Sequence, residues 1–335
     1  MKKKVAINGF GRIGRLAFRL LMNDPDLQVV AINNGTAVIE DLYLSLKYDS
    51  NFKEFDDSGV SFDKDGLILK NRKIKVFGER DASKLPWKEL GIDVVLECTG
   101  AYTNVDDAMA HIEAGAKHVL ISAPAKGDCK TIVYGVNDKL LKGNELIVSA
   151  ASCTTNCLAP VLNVLDKKFG IRKGYMTTVH AVTNDQGTLD VLHKKGAYSR
   201  RGRSAMANII PASTGAATAI GLVLPNLKGK LQGSAFRVPV IDGSVVDLTL
   251  ELKVPVSKDA INKAFAKASN DVIQITQDPV VSSDIIGSHL GALVDGLLTD
   301  VLTVDRKQLV KVVAWYDNEL GYTAQMIRTL KVLAK

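Results

Sequence analysis

The stretch from Lys4 to Gly14 limits what this chain can fold into more than any other. Lys4-Val5-Ala6-Ile7 reads as a short buried strand, and Asn8-Gly9-Phe10-Gly11-Arg12-Ile13-Gly14 follows it directly. Gly11 to Met22 then reads as a helix, ended by Asp24-Pro25. The glycines at 9, 11 and 14 make the pattern G-x-G-x-x-G. Between a strand and a helix that pattern has a mechanism. The glycines allow a tight turn and a close backbone approach to a pyrophosphate, and the helix N-terminus faces the phosphates with unpaired N–H groups. A glycine-rich turn without a ligand is the bland alternative, and the flanking elements argue against it.

The first half keeps alternating. Gln28 to Ile32 is a second strand, and Val38 to Lys47 a helical segment. Leu67-Ile68-Leu69 and Lys73-Ile74-Lys75-Val76 form a hairpin, with Asp65-Gly66 as the turn signal just before them. Asp93 to Glu97 is an apolar strand, Thr103 or Asn104 caps a helix reaching Ala114, and Lys117 to Ile121 is another strand. Repeated strand–helix–strand units predict an α/β Rossmann domain, a parallel sheet with helices on both faces. The second half predicts an α+β domain with a mixed or antiparallel sheet. Gly174 to Val182, Gln232 to Pro239 and Val245 to Leu252 are its long strands, and Thr183 to Asn208 is a long polar, basic loop of the kind that usually carries function. Gly321 to Ala334 reads as a terminal helix.

The chain has 335 residues, which suggests two domains at roughly 100–200 residues each. The net charge of +7 is spread along the sequence among 36 acidic residues. This favours phosphate-bearing small molecules and predicts no dedicated nucleic-acid partner. The apolar stretch after Lys2-Lys3-Lys4 is interrupted by Asn8, Gly9, Gly11 and Arg12, so no signal core follows, and no run of about 18 apolar residues predicts a membrane span. The expected compartment is the cytoplasm, with no membrane partner. Cys98, Cys129, Cys153 and Cys157 form no zinc-type cluster with histidine, so no metal is expected.

Cys153 stands out among them. Ser152-Cys153-Thr154-Thr155-Asn156-Cys157 ends a strand-like stretch (Leu146 to Val148) and begins a helix running to about Lys168. A thiol in the first helical turn lies in positive potential, which favours thiolate and nucleophilicity. Cys157, one turn further in, and Cys98, in an apolar strand, read as small core residues. A thiolate chemistry needs a base. His180, closing the Thr-rich strand before the long loop, is the first candidate, with His111, His118, His193 and His289 as ordinary surface or helix histidines.

Ala6 to Arg15, Ala150-Ala151-Ser152-Cys153-Thr154-Thr155-Asn156-Cys157-Leu158-Ala159-Pro160 and Trp315-Tyr316-Asp317-Asn318-Glu319 resemble, in order and across essentially the whole chain, the phosphorylating glyceraldehyde-3-phosphate dehydrogenases. The resemblance implies an NAD(P)-binding Rossmann domain at 1–151, completed by a terminal helix at 319–335, and a catalytic domain at 152–318. It also implies a homotetramer, and oxidation of D-glyceraldehyde 3-phosphate with inorganic phosphate to 1,3-bisphosphoglycerate through a Cys153 thioester, a step of glycolysis and gluconeogenesis. Carried over residue by residue, it makes Cys153 the nucleophile and His180 the base. Gly9, Gly11, Arg12 and Ile13 fall at the pyrophosphate turn. Arg80, Thr99 and Ser122 line the adenosine and nicotinamide pockets, and Asn318 holds the nicotinamide carboxamide. Thr183 and Arg237 fall at the substrate's own phosphate, and Ser152, Thr154, Arg201, Thr214 and Gly215 around the attacking phosphate.

The residues themselves support the phosphate roles. Thr214 can cap the Ala-rich helix that Ser213-Thr214-Gly215 opens, and Arg201 and Arg237 supply planar forks suited to phosphate. Arg237 also sits in an apolar strand, where an unpaired charge is costly. Three positions depart from the family. About 20 residues beyond Gly14, where the fingerprint expects an acid, stands Asn34, which does not repel a 2′-phosphate and leaves NAD and NADP both open. Val191-Leu192 replaces a Leu-Pro pair, and Lys194 to Ser199 is longer than the common pattern. An erythrose-4-phosphate dehydrogenase, which hydrolyses its thioester, is the alternative activity. A secondary non-enzymatic binding role is the alternative of another class.

Overall fold

The computed structural model describes residues 1–193, 196 and 198–335. The chain forms two compact units, one of Met1–Ser152 with Met326–Lys335, the other of Cys153–Gln325.

The first unit runs β1 (Lys3–Asn8), α1 (Arg12–Leu21), β2 (Leu27–Asn33), α2 (Ile39–Lys47), β3 (Val60–Asp63), β4 (Gly66–Leu69), β5 (Arg72–Phe77), α3 (Trp87–Leu90), β6 (Val94–Glu97), α4 (Val105–Glu113), β7 (His118–Ile121), β8 (Lys130–Thr131) and β9 (Ile147–Ser149). Its sheet has the order β3-β4-β5-β2-β1-β6-β7-β9-β8. From β5 to β8 every described pairing is parallel. Strand order reverses at β1, whose neighbours are β2 and β6, and in doubly wound sheets the place outside the carboxyl ends of the strands at such a switch point is where ligands bind. Both faces of the sheet are buried, as a parallel sheet requires. Val5, Ile7, Val94 and Leu96 join one core with Phe18, Leu21, Ile327 and Leu330, and Ala6 and Val95 join another with Trp87 and Ala108.

The hairpin forms, and the Asp65-Gly66 turn falls just before it. That turn joins β3 to β4, while β4 and β5 are joined at Lys70-Asn71, both with positive φ (47° and 67°). That pair is a two-residue hairpin turn whose first position lacks the usual Asn or Gly. Of the two helix caps left open, Asn104 is the one used, its side chain accepting from Asp106 N–H.

The second unit runs α5 (Cys153–Phe169), β10 (Ile171–His180), β11 (Ile210–Ser213), α6 (Ala216–Val223), β12 (Leu231–Arg237), β13 (Ser244–Leu252), α7 (Lys258–Ala268), β14 (Ile273–Thr276), α8 (Ser282–Ile285), β15 (Ala292–Asp295), β16 (Asp300–Val304) and β17 (Lys307–Tyr316). Its mixed sheet has the order β11-β12-β10-β13-β17-β15-β14, with β16 paired to β17. β10 and β12 are parallel, while β10–β13 and β13–β17 are antiparallel. This brings the ends of β10, β12 and β17 together, and with them His180, Arg237 and Tyr316. The last helix, α9 (Leu320–Leu333), contributes Met326, Ile327, Leu330 and Leu333 to the first unit's core. Among the described residues no helix is long and apolar enough to cross a membrane.

Candidate active site

In the first unit the glycine-rich turn is fixed by sterics. Gly9 has φ +94°, and a Cβ there would lie 2.6 Å from Thr99 N. At Gly14 a Cβ would lie 2.0 Å from the Gly9 carbonyl oxygen. Only glycine permits this approach of helix and turn. At Gly11, the residue before α1, a Cβ would meet nothing within 4 Å, so the space above the turn is open. The Arg12 guanidinium pairs with Asp49 and lies over the Phe52 ring. The Arg12 side chain is thus already engaged within the unit. Ile13 packs against the core.

Asn34 Oδ1 accepts from Phe10 N–H at 3.2 Å, tying the second strand's end to the turn. Next to it, the Arg80 side chain lies over Gly35, its Cγ and Nε 3.1 and 3.9 Å from where a Gly35 Cβ would be. Glu97 Oε1 accepts from Thr99 N–H at 2.7 Å and from the Thr99 hydroxyl, and Ser122 N–H donates to the Glu97 carbonyl. An open cradle over Gly11 at the start of α1 and a polar rim from Asn34, Arg80, Thr99 and Ser122 fit a dinucleotide.

Beneath this rim lies a buried network that the sequence did not suggest. His111 is a helix histidine of α4, fully buried, and its Nδ1 accepts from Trp87 Nε1–H at 3.1 Å. That leaves Nε2, 3.1 Å from Glu97 Oε2, as the donor. Asn8 Nδ2 donates to the same Glu97 oxygen at 2.5 Å, and Asn33 Nδ2 donates to Asn8 Oδ1 at 2.7 Å. The ends of β1, β2 and β6 are thus locked together under the turn.

In the second unit Cys153 occupies the first position of α5, and its Sγ lies 3.4 Å from His180 Nε2. His180 Nδ1 is 2.8 Å from the Ala181 carbonyl oxygen and also 2.8 Å from Arg237 Nη1. The Nη1 group carries two hydrogens, and two acceptors are in reach, Ala181 O at 2.9 Å and Thr183 Oγ1 at 3.0 Å. Nδ1 therefore keeps its own proton for Ala181 O, and the Nε2 lone pair faces the sulfur. Burial, followed by the Arg237 charge, depresses His180 from 6.5 to about 3, so the ring is neutral.

Burial is also the largest influence on Cys153 and pushes its thiol up, against the opposing pull of Arg237 and of hydrogen bonds from Thr154. This acts against the thiolate that the helix start favours. The helix N-terminus acts in the expected direction, burial of the thiol acts against it, and the imidazole beside the sulfur is neutral. Burial also pushes Cys157, Cys98 (to about 12) and Cys129 up, and what sets Cys153 apart is the imidazole at its sulfur.

Around this pair the anion-binding groups assemble. Thr183 and Arg201 both bond to Asp185, a residue the sequence reading missed. Arg237 Nε and Gln186 Nε2 are buried and have no hydrogen-bond partner among the described residues, two donors that an anion would satisfy. Thr214 Oγ1 accepts from Ala216 N–H at 3.2 Å, and Gly215 has open space where a Cβ would stand. The Thr154 hydroxyl meets Tyr316 OH at 3.0 Å, which meets Thr178 Oγ1 at 2.9 Å. Tyr316 also packs edge-on against the His180 ring, a bracing role invisible in the sequence because β10 and β17 are far apart in the chain. Asn318 is 5% exposed, its Oδ1 accepting from Ser244 Oγ–H at 2.5 Å, so its Nδ2 is the group left for a ligand. Ser152 stands at the end of the first unit, after Ala151, whose φ of +59° is unusual outside glycine. Of the long-loop expectation for Lys194 to Ser199, Lys194, Lys195 and Ala197 lie outside the described residues.

Comparison with known proteins agrees over the whole length. The family profile for the glyceraldehyde 3-phosphate dehydrogenase NAD binding domain matches residues 3–105, and that for the C-terminal domain of the same family matches residues 152–318. The chain is 54% identical over 332 residues to a glyceraldehyde-3-phosphate dehydrogenase of Clostridium pasteurianum, covering 99% of this chain and 98% of the relative. The enzyme of the same name from Clostridium acetobutylicum is 52% identical over the same shares. That of Streptococcus pyogenes is 50% identical over 336 residues, covering 100% of this chain and 99% of the relative.

Proposed function

Since the chain belongs to the glyceraldehyde-3-phosphate dehydrogenase family, oxidoreductases acting on an aldehyde group with NAD, we propose that it oxidises D-glyceraldehyde 3-phosphate in the phosphorylating manner, through a thioester on Cys153. The observation that carries this is the 3.4 Å contact of Cys153 Sγ with the Nε2 lone pair of a neutral His180, ringed by phosphate-suited donors. As the sulfur attacks the aldehyde carbon, its proton passes to Nε2. The imidazole N–H so formed, with the Cys153 backbone N–H, steadies the oxygen, which takes up that proton to complete a thiohemiacetal. His180 then removes the hydroxyl proton as the thioester forms. Bound NAD or NADP supplies a hydride acceptor at the nicotinamide ring. An oxygen of inorganic phosphate attacks the thioester, the C–S bond breaks, and Cys153 is regenerated.

In this reading Arg237 and Thr183 hold the substrate's own phosphate. Arg201, Thr214, Gly215, Ser152 and Thr154 surround the attacking one, with Asp185 keeping Thr183 and Arg201 in place. Gly9, Gly11, Arg12, Ile13, Asn34, Arg80, Thr99 and Ser122 hold the dinucleotide, and Asn318 offers Nδ2 to the carboxamide oxygen. Asn34 and the neighbouring Arg80 cation support use of NADP alongside NAD. A homotetramer is part of the same proposal. It is supported by exposed Leu189, Val191, Met206 and Ile209 in and beside the long loop, and by Tyr175, Leu302 and Leu309 on the second unit's sheet. Four free cysteines support a reducing, cytoplasmic setting. The test is turnover of glyceraldehyde 3-phosphate and erythrose 4-phosphate with and without inorganic phosphate. Phosphate-dependent oxidation of the triose is expected, and phosphate-independent turnover would overturn the phosphorylating assignment.

A further inference from the structure

One buried acid near this site has no part in the chemistry above. Asp242 lies in the turn between β12 and β13, is 1% exposed, and forms no ion pair among the described residues. Its Oδ1 accepts from Gly243 N–H at 2.7 Å and from Asn318 N–H at 3.2 Å. Its Oδ2 has no donor among the described residues. Another carboxyl, that of Asp317, also bonds to its side chain. Asp317 is amply supplied with donors. Its Oδ2 accepts from Gly287 N–H at 2.8 Å, and its Oδ1 accepts from Glu319 N–H at 2.9 Å and Leu320 N–H at 2.6 Å at the start of α9. Two carboxylates cannot share a buried contact while both are charged, and a buried oxygen without a donor is costly unless it carries a proton of its own. The proton therefore belongs on Asp242, the partner without donors.

We propose that Asp242 is a positioning residue that works as a neutral acid, donating a hydrogen bond from Oδ2 to the Asp317 carboxylate and thereby fixing the turn that presents Asn318. The proposal rests on the reading above, in which Asn318 Nδ2 holds the nicotinamide carboxamide. The backbone of Asn318 is held by Asp242 Oδ1, and its side chain by Ser244, whose Oγ in turn accepts from Ala181 N–H at 3.0 Å. Gly243 closes the turn with φ +82°, and a Cβ there would stand 2.1 Å from the Ser282 carbonyl oxygen. Burial, then the charges of Asp317 and Glu319, hold the Asp242 proton on well above the usual carboxylate range. Neutrality also spares the reaction centre, because a charge on Asp242 would push the Cys153 thiol further up.

The test compares Asp242→Asn, which keeps both the acceptor and an N–H donor, with Asp242→Leu, which keeps neither. NAD dissociation constants are measured by fluorescence titration from about pH 6 to about pH 10. The wild type is expected to lose affinity on the alkaline side. Asp242→Asn should bind within about threefold of wild type at neutral pH without that alkaline loss, and Asp242→Leu should bind about tenfold more weakly throughout, raising KM while kcat barely moves. Infrared difference spectra of the ligand-free protein should show one protonated carboxyl band at neutral pH that Asp242→Asn removes. Should Asp242→Leu fail to fold, the asparagine pH profile and the infrared band still decide. Absence of the band, an asparagine variant as weak as the leucine one, or an alkaline loss that persists in it would each overturn the proposal. Asn318→Ala separates the two levels: unchanged NAD affinity there refutes the carboxamide role of Asn318, while the infrared band still reports on the acid pair.

Discussion

The proposed use of NADP alongside NAD can be tested at Asn34, just after β2. Asn34 uses its Oδ1 to accept from Phe10 N–H, and Asn34→Asp keeps that acceptor, so the turn should survive the change. What it adds is one negative charge where the fingerprint places the ribose 2′-oxygen. Two unit charges about 4 Å apart repel by about 4 kcal/mol at an effective dielectric of about 20. Asn34 is half-buried and salt screens the pair, so roughly half of this should survive, about 2 kcal/mol or about 30-fold. Arg80 acts in the opposite sense. Its side chain lies over Gly35, and Arg80→Gln should lower NADP use by about tenfold with little effect on NAD. The assay is kcat/KM for both cofactors in the wild type and the two variants, at low and high salt. Asn34→Asp should lower the NADP:NAD ratio by about 30-fold, and high salt should shrink the difference. A shift below about threefold, or a wild type that prefers NAD by more than about a thousandfold, refutes the electrostatic account of this position.

Three further expectations follow from the same geometry. Cys153→Ser should leave folding and NAD affinity intact and lower turnover by on the order of a thousandfold or more, and a variant keeping a tenth of the activity would end the nucleophile assignment. Because His180 is depressed from 6.5 to about 3, an unfolded chain takes up a proton over that window that the folded chain refuses, so stability falls as pH drops through it. Denaturant titrations of wild type and His180→Asn should therefore diverge by up to about 1.4 kcal/mol per pH unit between those values, and parallel curves would show that His180 is protonated in the fold. Gly14→Ala should lower stability by about 1–3 kcal/mol and abolish tight NAD binding, since its Cβ would stand 2.0 Å from the Gly9 carbonyl oxygen; a fully stable, NAD-binding variant would mean that helix and turn can part at little cost.

The parts of this molecule legible in the sequence are those written in consecutive residues. The G-x-G-x-x-G turn, the strand before it and the helix after it are encoded within one short stretch, and so is the placement of Cys153 at the start of α5. Local pattern failed where two distant segments settle the matter. His111 looks like a helix histidine in sequence, and only the packing of α4 against Trp87 and the end of β6 makes it part of a buried network. Tyr316 and Asp185 matter through what β10, β17 and the long loop bring beside them, and nothing in their neighbours' spacing announces it.

The ionisation state of Cys153 shows the same limit in energetic form. A helix start predicts a stabilised thiolate, and that effect is local and readable. Desolvation is a property of the finished fold, and here it raises the thiol and lowers the imidazole together. Both groups are pushed toward neutrality, so a proton moving from sulfur to Nε2 separates charge inside a buried site, and that separation needs something to stabilise it as the sulfur attacks. Arg237 cannot serve both partners, since its charge favours the thiolate and opposes the imidazolium. A bound phosphate dianion on Arg237 would reverse that balance, raising the basicity of His180 when substrate is present. Proton transfer would then be tied to occupancy of the phosphate site, and the resting thiol would stay in its less reactive, protonated form.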